Sequence, residues 1–345
     1  MLLSVLDQAP IPEGSTGADA LRNTLDFARL ADALGYHRYW VAEHHGGPML
    51  ACAAPEVLVG AIATETDGIR VGSGGVLLPY YSPLKVAEVF SSLAALHPGR
   101  IDLGLCRGPG ARPLTISALQ RLGGETVPDD FFDQLTELVG LLAGSLPPSH
   151  PFAHLQSVLP GRPAMAQPWL LGGSRQSAIS AAQLGLPYAY AHFITPGGAE
   201  IMETYRNRWR AEQGDRPGSP PRTAIGVWVI CADTDGEARY LASSMMMMML
   251  DAKGGRLIQL PPPDTAAAWL KSHPVAPTTP GRPSGAVFGS PELVRRRLQT
   301  LADEYGTEEV IVVTNTYDHH ARRRSLELLA SAFDLTPRAE GSVPA

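Results

Sequence analysis

Charged side chains are scarce in this chain: Asp, Glu, Lys and Arg make up 18% of its 345 residues, against about 25% in an average soluble domain. A basic excess is lacking too, since 28 Lys and Arg face 34 Asp and Glu, for a net charge of −6. That balance argues against nucleic acid or an anionic membrane as the main partner, because neither offers counter-charge to such a surface. Cysteine is rare. Cys52, Cys106 and Cys231 are odd in number and widely spaced, so they make neither a disulfide framework nor a thiolate metal site, and a cytoplasmic location is expected. No stretch supplies the ~18 uninterrupted apolar residues of a membrane span. The opening Met1 to Asp7 has no basic region, so no export signal is expected.

Apolar residues, in contrast, reach 44%, enough for a sizeable core. Glycine (35) and proline (31) are also plentiful and read as many tight connections. Short apolar runs alternate with amphipathic segments, the pattern of parallel strands and crossover helices. Strands are expected at Leu2 to Leu6, Arg38 to Ala42, Ile69 to Val71, Arg100 to Leu105, Pro168 to Leu171, Tyr188 to Ala191, Thr223 to Cys231 and Glu309 to Val313. Helices are expected between them, for example near Asp19 to Leu34, from Pro83, over Pro128 to Leu142 and from Pro291. The fold class is therefore α/β, a (β/α)8 TIM barrel spanning residues 1–335. An irregular insertion at about 253–285 precedes the last helix-strand unit, and a tail over 336–345 reads as frayed. A doubly wound sheet would need a glycine-rich phosphate loop after the first strand, and Asp7-Gln8-Ala9-Pro10 lacks one.

Barrel sites lie at the C-terminal ends of the strands, and the residues there are chemical. Glu43-His44-His45 follows the second strand, Ser73-Gly74-Gly75 the third, Cys106-Arg107 the fourth, Gly172-Gly173-Ser174-Arg175 the fifth and His192-Phe193 the sixth; Asn315 follows the eighth. Side chains alternate along a strand, so one histidine of the pair is expected to face the site. Cys106 reads either as a small buried hydrophobe or as a thiolate stabilised by Arg107. Gly172-Gly173-Ser174 opens a helix, where free N–H groups and a hydroxyl suit an anion; Arg107 would complete a phosphate clamp. The run Met245 to Met249 reads as core or as an adaptable apolar wall. His319-His320 reads as the opening of the last helix.

At these residues the sequence resembles the luciferase-like, flavin-dependent monooxygenases, in their single-chain branch. The resemblance runs from Leu3 to about Phe333 through LSVLDQAPIPEG, GYHRYWVAEHH, IRVGSGGVLLPYYSPLKVAEVF, HPGRIDLGLCRGPG, WLLGGSRQSAISAAQLGLPYAYAHF and FGSPELV. It implies a two-component enzyme in which a separate NAD(P)H-dependent flavin reductase supplies reduced FMN, which with O2 forms a flavin C4a-hydroperoxide. Hydroxylation, epoxidation or Baeyer–Villiger oxidation of a hydrophobic organic substrate would follow, as in the tailoring of aromatic polyketides. A homodimer is also implied. His44 matches the catalytic base or acid, with His45 beside it, and Cys106 matches a reactive thiol near the flavin. Ala42 and Glu43 would line the ring, and Gly74-Gly75 matches a non-proline cis peptide against it. Arg107, Gly172, Gly173, Ser174 and, more weakly, Ser177 would hold the phosphate, with a further arginine at Arg112 or Arg121. His192 and Phe193 would line the substrate pocket. No metal is implied.

Two other readings remain open from the residues alone. One is a metal-dependent hydrolase barrel with His44, His45, His192 and an acid as ligands, although such barrels usually place paired histidines on the first strand. The other is a flavin-binding barrel without turnover.

Overall fold

A computed structural model describes residues 1–108, 113–120, 130–155, 165–214, 220–274 and 285–338. The first half of the chain runs β1 (Leu2–Asp7), α1 (Gly17–Ala33), β2 (Arg38–Val41), α2 (Pro55–Thr64), β3 (Arg70–Leu77), α3 (Pro83–Leu96), β4 (Ile101–Cys106), α4 (Pro113–Gln120) and α5 (Phe131–Ala143). The second half runs β5 (Gln167–Gly172), α6 (Arg175–Gln183), β6 (Tyr188–Tyr190), α7 (Ala199–Gln213), β7 (Thr223–Cys231), α8 (Asp235–Lys253), α9 (Pro263–Ser272), β8 (Val287–Gly289), α10 (Pro291–Tyr305), β9 (Glu309–Val313) and α11 (His319–Ala332).

Eight of these strands close a parallel barrel in the order β6-β5-β4-β3-β2-β1-β9-β7, with β7 pairing back onto β6. Every expected strand is present. Among the described residues no helix is long and apolar enough to cross a membrane. The ninth strand, β8, was not expected. It pairs with the upper part of β7, Val229 opposite Val287, on the side that β6 has vacated: Gly226 O accepts from Phe193 N, and further up β7 Ala232 N donates to Gly289 O.

Three sequence expectations need correction. The glycine run was expected to follow a short third strand, but β3 continues through it to Leu77, with a register shift between Ser73 and Val76. The strands approach closely there: a Cβ on Gly75 would lie 2.8 Å from Gly104 O, so the lack of side chains permits the pairing. The insertion holds a helix, α9, which its Pro-rich flanks concealed; residues 275–284 lie outside the described residues. The tail is anchored as far as Arg338, whose guanidinium donates to Asp32 Oδ1 at 3.0 Å and to Tyr36 O at 2.7 Å.

Two apolar layers result from strand alternation. Outward residues such as Val5, Val41, Leu103 and Val312 pack beneath the helices. Inward residues Leu6, Trp40, Trp169, Trp228, Ile311 and Val313 fill the upper barrel. Below them lies a buried ionic layer. Arg38 reaches Asp102 at 2.7 Å and Glu309 at 2.5 Å, and Arg70 closes on Asp102 from the other side. Trp40 Nε1 donates to Asp102 at 3.0 Å and Ser4 Oγ to Glu309 at 2.6 Å. Burial by itself would raise the Asp102 pKa, but the two guanidiniums override it and hold the carboxyl below its usual range.

Candidate active site

Register places the candidate residues side by side. Val41 pairs with Ser73, Leu77 with Cys106, and Leu105 with Leu170, so the ends of β2, β3, β4 and β5 form one continuous arc. Along it stand Ala42-Glu43-His44-His45, Gly74-Gly75, Cys106-Arg107 and Gly172-Gly173-Ser174. Arg107 is level with Gly172 by this register and is exposed.

Glu43 is the organiser of the first strand end. Its carboxylate is buried and accepts three hydrogen bonds: from His45 Nε2 at 2.6 Å, Tyr81 OH at 2.7 Å and Leu77 N at 2.9 Å. Glu43 thus ties β2 to the end of β3, and His45 is committed to it. Tyr81 was missed by sequence reasoning, because a tyrosine in a Tyr-Tyr-Ser-Pro turn gives no sign of where its hydroxyl goes.

His44 is the histidine left available. Its Nδ1 is buried with no hydrogen-bond partner, and burial, aided by the neighbouring His45, lowers its pKa to about 4. The ring is therefore neutral at pH 7, the form required of a base. Its folded pKa lies below the unfolded value of 6.5, so the unfolded chain takes up the proton first as pH falls. The stability that the neutral ring contributes is complete above pH 6.5 and drains away toward pH 4, a loss of about 3 kcal/mol. Urea unfolding at pH 7 and pH 4 tests this: His44→Asn should lose about 3 kcal/mol less than wild type between those pH values, and an identical loss would refute the assignment.

The peptide between Gly74 and Gly75 is cis, as the resemblance implied. Beneath it a Cβ on Gly74 would collide with Leu6 Cδ1 at 2.5 Å and Trp40 Cβ at 3.0 Å, so the peptide lies as a bare backbone ledge directly on the inner core. Of the two readings of Cys106, the surroundings favour the protonated thiol. Burial first, and then the Glu43 charge, push its thiol up to about 12, and Sγ donates to Gly75 O at 3.6 Å. It is a protonated thiol holding the ledge, not a thiolate sustained by Arg107.

At β5 the chain turns through Gly172-Gly173 into α6. Ser174 caps the helix by accepting Ser177 N at 3.1 Å. Ser177 donates to Ser174 O at 2.8 Å and lies 2.9 Å from Tyr188 OH. Ser174 and Arg175 remain exposed at the helix N-terminus, and Arg175 adds a cation to which the sequence pattern gave no role. Arg112 and Arg121 lie outside the described residues.

The other half of the rim differs in character. Phe193 packs edge-on to Trp228 at 5.7 Å and joins Met49, Met249, Ile258 and Phe288 around the inner cluster. Met245 and Met248 belong to that cluster, so the methionine run is both core and wall. The loop after β1 closes over this half, bridging Pro10 to Leu50 and Pro12 to Leu260.

His192, expected beside the substrate, is held by Tyr305. Tyr305 OH accepts from Gly197 N at 3.0 Å and Gly198 N at 2.8 Å, which uses both lone pairs; its proton must therefore go to His192 Nδ1, 2.7 Å away. His192 Nε2 then carries the ring proton and faces Gly285 O at 3.3 Å. The residue anchors the start of β8 and borders a cavity of about 390 Å³ between β8 and α10, which Phe288 also lines. A metal shared by His44, His45 and His192 is thus incompatible with these partners, and among the described residues no group of three or more His, Cys, Asp or Glu is placed to hold a metal. His319 opens α11 and bonds Asp26 at 2.8 Å, far from any chemistry.

Comparison with known proteins agrees with this geometry. Residues 1–308 match the family model described as luciferase-like monooxygenase. The chain is 39% identical to a luciferase-like monooxygenase of Escherichia coli strain K12, covering 94% of this chain and 95% of that one. It is 37% identical to the N-acetyl-S-alkylcysteine monooxygenase of Bacillus subtilis, covering 96% and 97%. Among solved structures, apo-MsnO8 is 44% identical and superimposes with a TM-score of 0.85 over 98% of this chain and 99% of that one. By sequence and by fold, this chain belongs to the luciferase-like monooxygenase family.

Proposed function

We propose that this monooxygenase uses reduced FMN and O2 to oxygenate a hydrophobic organic molecule, with the flavin supplied by a separate NAD(P)H-dependent reductase. The observation that carries this reading is the contiguous arc over β2 to β5: a neutral histidine with a buried ring nitrogen, a bare glycine ledge and a helix N-terminus flanked by arginine, in that order. A structure of 3,6-diketocamphane monooxygenase from Pseudomonas putida in complex with FMN shares the fold, with a TM-score of 0.70 at 19% identity. A cytoplasmic homodimer goes with the same reading.

The residues present fit FMN. The phosphate would rest on the free N–H groups of α6, the Ser174 hydroxyl and Arg107, where the helix end and the guanidinium both favour an anion. The flat ring would lie on the Gly74-Gly75 ledge, where side chains are absent, with Ala42, Glu43 and Gly173 around its edge. When bound, reduced flavin supplies the activation of O2, which no side chain of the protein can perform. The protein's own part is to exclude water with Phe193, Trp228 and the methionines, and to hold an acceptor for a proton at His44. Glu43 keeps that arrangement rigid by fixing His45 and β3.

Two measurements test the reading. Product formed from FMN, a reductase and isotopically labelled O2 should carry one labelled oxygen; unlabelled product would end the monooxygenase assignment for this cofactor. Arg107→Ala should weaken FMN binding by about 1.5–3 kcal/mol, as for a charged hydrogen bond to phosphate. An unchanged dissociation constant by calorimetry would remove Arg107 from the clamp.

A further inference from the structure

Three adjacent strand ends, β2, β1 and β9, lie where the proposed cofactor arc meets the apolar half of the rim. Leu6 of β1 and Ile311 and Val313 of β9 point inward. Continuing the alternation carries Gln8 and Asn315 inward as well, directly above them. The two amides meet there. Asn315 Nδ2 donates to Gln8 Oε1 at 2.8 Å, and both residues are buried, Asn315 completely.

That hydrogen bond leaves Asn315 Oδ1 with no partner although it is shielded from water. A buried carbonyl oxygen without a donor is costly, and cores avoid it unless something else arrives to satisfy it. The position is also built rather than accidental. Ala9, the residue after Gln8, sits in the left-handed region at φ 50°, a conformation that non-glycine residues rarely adopt. Asp7 holds it there by accepting Ala9 N at 2.7 Å, while Arg322 and Tyr39 secure Asp7 itself. The backbone is thus bent and braced at the residue flanking Gln8, which fixes the amide against Asn315.

We infer that Asn315 Oδ1 is a specificity determinant that accepts a hydrogen bond from an O–H or N–H group on an otherwise apolar substrate. The inner cluster that holds Val313, two residues before Asn315, defines the rest of that class. Phe193 and Trp228 suit a planar ring system, and Met248 and Met249 adapt to its outline. A phenol, or an aromatic amide with a free N–H, fits; the corresponding methyl ether or tertiary amide leaves the carbonyl unsatisfied. The location on the apolar half rests on the flavin reading for its catalytic meaning, but the recognition itself needs no flavin.

The test uses the full chain without flavin and two probes, 2-naphthol and 2-methoxynaphthalene, with binding followed by calorimetry. Wild type should bind the naphthol about tenfold more tightly than the ether. Asn315→Leu should bring the ratio close to one by weakening the naphthol alone. Asn315→Asp, which keeps an acceptor at the position and lets Gln8 turn to donate, should retain the preference, and circular dichroism checks that each variant is folded. An unchanged ratio in Asn315→Leu, equal affinities in wild type, or no binding of either probe would overturn the inference. FMN titrated separately into wild type and both variants should bind alike. Failure of wild type to bind FMN would count against the proposed function, whereas the role of Asn315 would still stand or fall on the probe ratio.

Discussion

His44→Asn is expected to lower turnover by about 10²–10⁴-fold, the usual contribution of a positioned general base, while FMN binds the variant as it binds wild type. The expectation follows from three features of the ring. Its Nδ1 is the one histidine nitrogen at the arc that is buried and unpartnered, it stands at the strand end next to the glycine ledge, and burial keeps it neutral with a pKa of about 4. His45 cannot substitute, since its Nε2 is held by Glu43 at 2.6 Å. Asparagine preserves much of the volume and removes the base, so loss of turnover with retained FMN affinity isolates the proton-handling role. Turnover within threefold of wild type would dismiss it. The low pKa also means that any rise in activity between pH 5 and pH 8 must come from another group, and His44→Asn should leave the shape of that residual profile unchanged.

The second large effect concerns stability. Arg38→Met should destabilise the fold by about 3–5 kcal/mol at pH 7, because it strands buried carboxylates without their main counter-charge. Asp102 is fully buried and Glu309 nearly so, and after the change the direct contacts left are Arg70 and Trp40 for Asp102 and Ser4 for Glu309, with Arg222 acting on both at longer range. The stacking of the Arg38 guanidinium 4.7 Å over Trp169 is lost as well. Sign matters here. In wild type the Asp102 pKa is depressed, so its contribution is present above the unfolded value of 3.8 and is lost as pH falls through the folded value. Without Arg38 the desolvation of burial prevails, the carboxyl takes up a proton more readily, and the deficit of the variant should shrink on acidification. Urea unfolding of Arg38→Met at pH 7 and pH 4 would show this. A deficit under about 1 kcal/mol at pH 7, or one that grows toward pH 4, would mean the ionic layer is not what supports the barrel floor. Asp102→Asn in the Arg38→Met background should recover part of the loss, since a neutral amide costs less to bury.

Much of the architecture was legible along the chain. Eight apolar runs separated by amphipathic segments admit few folds, and the parallel barrel follows from strand propensity and alternation alone. The strand-end residues were legible for the same reason: in a parallel barrel every strand ends at one mouth, so proximity along the rim needs no contact information. Local turn chemistry was readable as well, as Ser174 capping α6 and Pro83 and Pro291 opening α3 and α10 demonstrate. The helix in the insertion and the short strand β8 were not, because proline-rich flanks hide the period of a short helix and a strand as brief as Val287–Gly289 carries none.

Other decisions belonged to the tertiary structure. Which histidine is free depended on Glu43 finding His45, Tyr81 and Leu77 N together, a convergence of groups up to 38 positions apart. Whether Cys106 is a thiolate depended on burial and on the Glu43 carboxylate, which the adjacent Arg107 in the chain does not reveal. The tautomer of His192 was set by Tyr305, from a helix more than 100 residues on, which had one proton left to give. Sequence patterns report the periodicity of a segment and the chemistry of its ends, and these settle fold and mouth. Charge state, tautomer and the direction a side chain faces depend on partners brought together by closure of the barrel, and no segment carries that information by itself.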